Sequence, residues 1–281
     1  MSWPSLARAL FGDTAGRCSG LILLLVIALA LVGPLLVPWS GDEIDWAALE
    51  TPPSASHWLG TDMIGRDLFV RAAEGARLSL VIAVIATAVS MLIGIPWGAL
   101  AGFLGGRVDL VMMRIVDVLY GLPFVLVVIL LVVVFGRNPW LLFVGLGAVF
   151  WLDLARIVRG QTLRVRAAPF VDAARLLGAS TPRIVFRHLM PNVAGPAIVH
   201  VTLTLPGVIL AESFISFLGL GVQEPATSWG VLIADGVQSM ESAPWALLFP
   251  ALLLGGTVWA ANMLGDRLRD ALDPQARGPT R

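Results

Sequence analysis

Six long apolar runs separated by polar segments set the pattern of this chain: residues 18–37, 78–104, 110–135, 140–158, 193–215 and 245–264. Each is close to the ~20 residues that cross a ~30 Å hydrocarbon core. The pattern predicts an all-α polytopic membrane protein with six transmembrane helices. The first run has the flavour of a signal peptide. Gly33-Pro34 and Pro38-Trp39 follow it in place of a small-x-small cleavage site, so it predicts an uncleaved first span. Residues 39–75 are polar and read as a loop, followed by a lateral helix whose charges stay in water. Residues 217–244 are too polar, and too broken by glycine and proline, to cross a membrane. Gly94, Gly98 and Gly102 recur four apart in the second run, a spacing that lets helices approach closely.

The polar interruption from Pro169 to Asn192, PFVDAARLLGASTPRIVFRHLMPN, has its own internal pattern. Pro169 suits the first turn of a helix. Phe170, Ala173, Ala174 and Leu177 recur at helical spacing, and Asp172 lies in the first turn, at the positive end of the helix dipole. Gly178 stands where a C-terminal glycine stop belongs. Ser180 or Thr181 can cap a second helix with Pro182 in its first turn, and Pro191 is expected to end or kink it. A short helix, a glycine bend and a second helix make a knob suited to docking in a groove of another protein. The plainer reading is an amphipathic loop resting on lipid headgroups. An apolar face of about two turns would be held only weakly that way.

Composition agrees with the pattern and removes several chemistries. Hydrophobic residues are 57% and charged residues 14% of the chain, with a mean hydropathy of +0.85. That places it outside the ordinary soluble domains. The formal net charge is zero and gives no reason to expect a nucleic-acid partner. All 19 basic residues are arginine, so neither a phosphate-binding-loop lysine nor a Schiff-base lysine is available. Cys18, the single cysteine, cannot make an internal disulfide. With six spans and the N-terminus inside, only Arg66, Arg71, Arg77 and Arg137 fall on the outer side. The positive-inside rule therefore predicts that both termini and the 159–191 loop are cytoplasmic.

A few polar residues lie within the spans. Arg114 and Asp117 are three apart and share a helix face, which predicts a salt bridge near the inner end of the third span rather than a place on a translocation path. Glu212 lies in an apolar context near the outer end of the fifth span. A charge at a helix centre there costs ~2.5–3.5 kcal/mol, so Glu212 is expected to face protein or water. His200, on the same span, is about 18 Å from it along an ideal helix and reads as an interhelical hydrogen-bonding residue. His57, His188 and His200 sit in three separate places, and no nucleophile elbow or HExxH is present. Asp117 and Asp153 could in principle form an intramembrane aspartyl dyad. The arginines beside them favour two charged carboxylates, whereas such a dyad needs one protonated.

Asp172-Ala173-Ala174, Gly178 three residues beyond Arg175, and His188-Leu189-Met190-Pro191-Asn192 resemble the EAA loop of bacterial ABC importer permeases. The form with His before x-x-Pro-Asn is similar to the dipeptide/oligopeptide/nickel permease family. Asp172 stands where most members have Glu, and Met190 where Leu is usual. Gly-Thr-Asp, Gly-Arg-Asp and Gly-Ala-Arg-x-Ser-Leu between His57 and Leu80 resemble the same family. So do the order from Asp109 to Asp117 with Pro123, and the stretch from Glu212 to Gly221.

The resemblance implies a C-type permease subunit of an ATP-driven, binding-protein-dependent importer in the bacterial cytoplasmic (inner) membrane. It carries peptides, or less often nickel, and is not itself an enzyme. The implied partners are a second homologous permease, two ATP-binding subunits that hold the ATP and Mg, and an extracytoplasmic solute-binding protein; the chain binds no cofactor of its own. Asp172, Ala173, Ala174, Arg175, Gly178, His188 and Pro191 would form the ATPase-coupling loop. Arg114, Asp117, His200 and Glu212 would line the path or serve structure. The implied organisation is an anchor helix and outer loop in 1–75, the permease domain in 76–273 and a tail in 274–281. A secondary transporter is a rival, but it would place coupling carboxylates near the midplane.

Overall fold

The computed structural model describes residues 3–135 and 139–272. Arg137, the Asp273-Pro274 pair and the expected tail lie outside the described residues. The chain runs through α1 (Trp3–Phe11), α2 (Thr14–Val32), α3 (Leu68–Leu104), α4 (Gly106–Tyr120), α5 (Phe124–Phe135) and α6 (Pro139–Arg166). It continues through α7 (Pro169–Leu176), α8 (Thr181–Ile184), α9 (Met190–Phe217), α10 (Trp229–Gln238) and α11 (Pro244–Leu272). Extended structure among the described residues is confined to isolated bridges, Ile44 with Arg66 and Thr61 with Asp67, inside the loop that joins α2 to α3.

Among the described residues four helices are long and apolar enough to cross a membrane, five if α4 and α5 count as one bent span. α6 stands where the fourth span is expected. The third run is not one straight span: α4 and α5 meet at 83°. Pro123 explains the break, because it lacks an N–H and pushes Leu122 away from helical geometry. Nor is a separate lateral helix present before the second span. α3 is a single helix of 37 residues that begins at Leu68, so the 75/76 boundary falls inside it. Asp67 starts it, its carboxylate accepting the Val70 N–H at 3.0 Å.

The core is built where α3 crosses α6. A Cβ on Gly94 would lie 2.8 Å from the Trp151 carbonyl, one on Gly98 2.9 Å from the Arg159 nitrogen, and one on Gly102 2.8 Å from the Thr162 Cβ. The three glycines therefore let the two backbones touch. Ile82, Ala86, Leu146, Val208, Ile215 and Trp229 fill the space among α3, α6, α9 and α10. On α2, Leu24, Leu25 and Leu31 stay exposed, as a surface that meets lipid requires.

The two ends of the bundle are distinct. At one end Arg267 of α11 pairs with Asp13, the cap of α2, so the start of the first span and the end of the last lie together. At the other end the 39–75 loop meets the 217–244 segment. The Arg66 guanidinium bonds Glu224, Ser242 bonds Glu50, and the Trp245 indole donates to the Thr61 carbonyl.

Candidate functional site

α6 delivers the chain to α7 through only Ala167 and Ala168. Pro169 opens α7 with its fixed φ, and Asp172 lies in the first turn. The Asp172 carboxylate accepts from Arg175 at 3.2 Å; both side chains are largely solvent-exposed, so the pair orients more than it stabilises. Val171 is the fully buried residue of α7. Spacing alone does not single it out from the neighbouring Phe170 and Ala173, which are exposed, or from the half-buried Ala174.

The end of α7 is a Schellman motif. The Ala179 N–H reaches the Ala174 carbonyl at 3.0 Å, and the Gly178 N–H reaches the Arg175 carbonyl at 2.9 Å. Gly178 has φ +78°, the left-handed conformation that glycine adopts without cost. Leu176 and Leu177, just before the bend, are each 89% exposed, and Phe186 beyond it is 75% exposed. A row of bare apolar side chains beside an exposed ion pair is a docking face in form. An open cleft of about 350 Å³, lined by Leu163, Arg166, Ala167, Asp172 and Arg175, lies beside it at the α6–α7 junction.

The return is more continuous than the sequence pattern predicts. Ser180 precedes α8 without a side-chain capping bond, and α8 passes through a π-helical turn, Val185–Leu189, directly into α9. Pro191 does not end this helix. It lacks an N–H, and its ring would crowd the carbonyl four residues back; the wider turn before it, with the Met190 N–H on the Val185 carbonyl, relieves that crowding. Asn192 donates to the His188 carbonyl at 2.6 Å, and the His188 ring lies 6.1 Å from that of Phe170. Asp172, Ala173, Ala174, Arg175, Gly178, His188 and Pro191 thus lie in one helix–bend–helix unit, with His188 facing α7.

The span-embedded polar residues go elsewhere. Asp117 does not pair with Arg114. Its partner is Arg156 on α6, at 2.9 Å, and Arg156 also lies over the Tyr120 ring. Arg114 is exposed and makes no ion pair among the described residues. The turn of α4 that carries Arg114 points it outward, while Asp117 faces α6. His200, on α9, is half-buried, and its carbonyl accepts from the Thr204 hydroxyl at 2.9 Å. Glu212 is fully buried and faces protein. It accepts from Ser79 of α3 at 3.0 Å and from Ser216 at 2.7 Å, with Ser213 at 3.4 Å.

A second constellation at the opposite end has no local signal beyond the Gly-Thr-Asp and Gly-Arg-Asp motifs. Asp62 accepts from Arg66 at 2.7 Å and from Arg71 at 2.5 Å, and Arg66 reaches Glu224, 158 positions away, at 2.6 Å. Burial alone would push the Asp62 carboxyl up. The Arg66 N–H and guanidinium, with the charge of Arg71, outweigh it and hold Asp62 below the usual carboxylate range. Nearby, buried His57 bonds Asp67 at 2.8 Å and stacks on Trp39.

Residues 94–278 match the family of binding-protein-dependent transport system inner membrane components. The chain is 48% identical to the oligopeptide transport system permease protein OppC of Escherichia coli K12 over 277 residues, covering 98% of this chain and 92% of that one. It is 45% identical to OppC of Haemophilus influenzae, covering 98% and 89%. It is 48% identical to the dipeptide transport system permease protein DppC of Bacillus subtilis 168, covering 91% and 80%. Among solved structures it resembles a chain of the MetNI methionine ABC transporter in inward-facing conformations, with a TM-score of 0.60 at 19% identity, covering 72% of this chain and 96% of that one. That likeness shows the fold. With a helix–bend–helix unit hung between two spans, and relatives alike over nearly its whole length, the chain belongs to the inner membrane components of binding-protein-dependent transport systems.

Proposed function

We propose that this chain is the permease subunit through which an ATP-driven importer moves di- or oligopeptides, and that α7 is where ATP-hydrolysing partners dock. The observation that carries this reading is α7 itself, a short exposed helix set between α6 and α9 with Leu176 and Leu177 bare beside the Asp172–Arg175 pair. In this reading two ATP-binding subunits hold ATP and Mg²⁺, a second homologous permease completes the path, and a solute-binding protein delivers peptide from outside. The arginine distribution supports cytoplasmic termini and a cytoplasmic α7. The names of the relatives favour peptides over nickel.

The test is uptake by the complex reconstituted with its ATPases, second permease and binding protein. Labelled dipeptide is expected to accumulate only when ATP is present. Accumulation driven by an ion gradient without ATP would overturn the reading, and nickel uptake without peptide uptake would replace its substrate.

A further inference from the structure

The end of the bundle opposite α7 carries bare apolar side chains. Trp46, 75% exposed, and Leu49 stand on the loop that joins α2 to α3, with Met63 and Ile64 further along it, and Met240 stands just past α10. Hydrogen bonds gather them on one surface. The Asp45 N–H reaches the Gly65 carbonyl at 3.0 Å and the Glu50 N–H the Asp62 carbonyl at 3.1 Å, which sets Trp46 and Leu49 near Met63 and Ile64. Ser242 bonds Glu50 at 2.9 Å, and Met63 and Ile64 share a cleft with Gln238 and Ser239, which brings in Met240. The turns between them are hydrogen-bonded, so the exposure belongs to the fold and not to a slack loop.

Charge of one sign surrounds this surface. Between 39 and 67, and between 218 and 244, the exposed charged residues are Asp42, Glu43, Glu224 and Glu241, all acidic. The nearby bases, Arg66 and Arg71, are turned inward: Asp62 takes both, Glu224 bonds Arg66, and Asp235 lies 3.6 Å from Arg71. Height and charge decide what can cover such a face. Lipid does not reach it, because Arg71, Glu74 and Arg77 keep the first turns of α3 out of hydrocarbon, and Leu68 stands about 15 Å beyond Leu78 along the helix axis. A second copy would set one acidic rim against another, which like-charge repulsion opposes. A soluble protein with an apolar ridge inside a basic rim complements both parts. We propose that this surface seats such a protein, with Trp46, Leu49 and Ile64 as its anchors and the acidic rim steering its approach. Identifying it with the solute-binding protein rests on the importer reading, which puts this end of the bundle outside.

The experiment measures association of the purified, peptide-loaded solute-binding protein with the full permease–ATPase complex in nanodiscs, at low and at physiological salt. Wild-type association is expected to slow as salt rises. Trp46→Ala and Ile64→Ser are each expected to weaken binding at least about tenfold, mainly through faster dissociation. The double variant Glu43→Lys with Glu241→Lys is expected to slow association several-fold and to leave dissociation nearly unchanged. All four side chains are exposed, so thermal unfolding of the variants is expected to match wild type. Wild-type rates in all the variants, association indifferent to salt, or an effect confined to self-association of the complex would overturn the surface. Peptide uptake by the complete system is measured in parallel: ATP-dependent uptake with unchanged binding in the variants removes only the surface, and absence of ATP-dependent uptake by the wild type removes the importer reading.

Discussion

The Arg159 guanidinium grips both carboxylate oxygens of Asp109, at 2.5 and 2.6 Å, and so ties α4 to α6 two turns before α6 leads into α7. The pair is only partly exposed, so its loss falls between the surface and buried cases, about 1–3 kcal/mol. Arg159→Ala is expected to lower the thermal stability of the purified protein, and Arg159→Lys to restore little, because an ammonium cannot reproduce the two-pronged geometry. Full rescue by lysine would show that charge alone matters there.

Gly98 has no room for a side chain. A Cβ would press on the Ala155 carbonyl and the Arg159 nitrogen, both backbone atoms that cannot swing away. Gly98→Val is expected to force α3 and α6 apart and to reduce folded, detergent-extractable protein several-fold. Gly160, also on α6, serves as the control, because a methyl group added there would meet nothing within 4 Å. Gly160→Ala is expected to be neutral, or stabilising by about 0.5–1 kcal/mol.

Gly178 also faces open space, so a side chain there costs only backbone strain, roughly 1–2 kcal/mol. Gly178→Val is expected to leave membrane insertion intact while weakening co-purification of the ATPase subunits and abolishing uptake. Leu177→Ser, which removes an exposed contact and no buried one, is expected to weaken co-purification without changing thermal stability. Wild-type uptake in Gly178→Val would sink the role given to the bend.

Glu212 ties α3 to α9, accepting from Ser79 on α3 and from Ser216 on its own helix. Glu212→Ala leaves buried hydroxyls without their acceptor and is expected to cost about 1–3 kcal/mol. Glu212→Gln keeps a carbonyl acceptor in place and is expected to recover most of that loss. Thermal unfolding in detergent measures both, and equal losses would assign the effect to the charge rather than to the bonds.

Asp62 and Asp235 respond to acid in opposite senses. Asp62 is held below its unfolded value, so its contribution is full above that value and is lost as pH falls through the folded one. Asp235 is raised, so in the window between its unfolded and folded values stability rises as pH falls. The Asp62–Arg66–Arg71 cluster is therefore expected to hold through mild acid and to loosen only below about pH 4. Trp245, whose indole bonds the Thr61 carbonyl, reports it by fluorescence. Asp62→Asn is expected to remove the acid-dependent step.

What the sequence made legible was whatever is periodic or local. Apolar run lengths placed most of the long helices, Gly178 marked its own bend, and the four-residue glycine spacing foretold a close helix contact without saying which helix would make it. Long-range pairing was not legible. Asp117 has Arg114 three residues away, yet it pairs with Arg156, 39 positions on, because helix rotation decides which neighbour faces inward. The break before α5 carried a signal in Pro123 that the apolar run around it concealed. The continuity of α8 into α9 was hidden for the opposite reason, since a proline that stops an ordinary helix is tolerated after a wider turn.

The shortness of the two links around α7 limits how much slack the chain has. Two residues precede α7 and four, 177–180, separate it from α8. Fully extended they could span no more than ~7 and ~14 Å, and the second is folded into a tight bend. A long floppy tether would absorb a push as a change of its own shape. The first link is only two residues long and the second is pinned in a hydrogen-bonded bend, so α7 has little freedom to move without drawing on α6, α9 or both. Any displacement imposed on it becomes a tilt of the bundle rather than a rearrangement of loop.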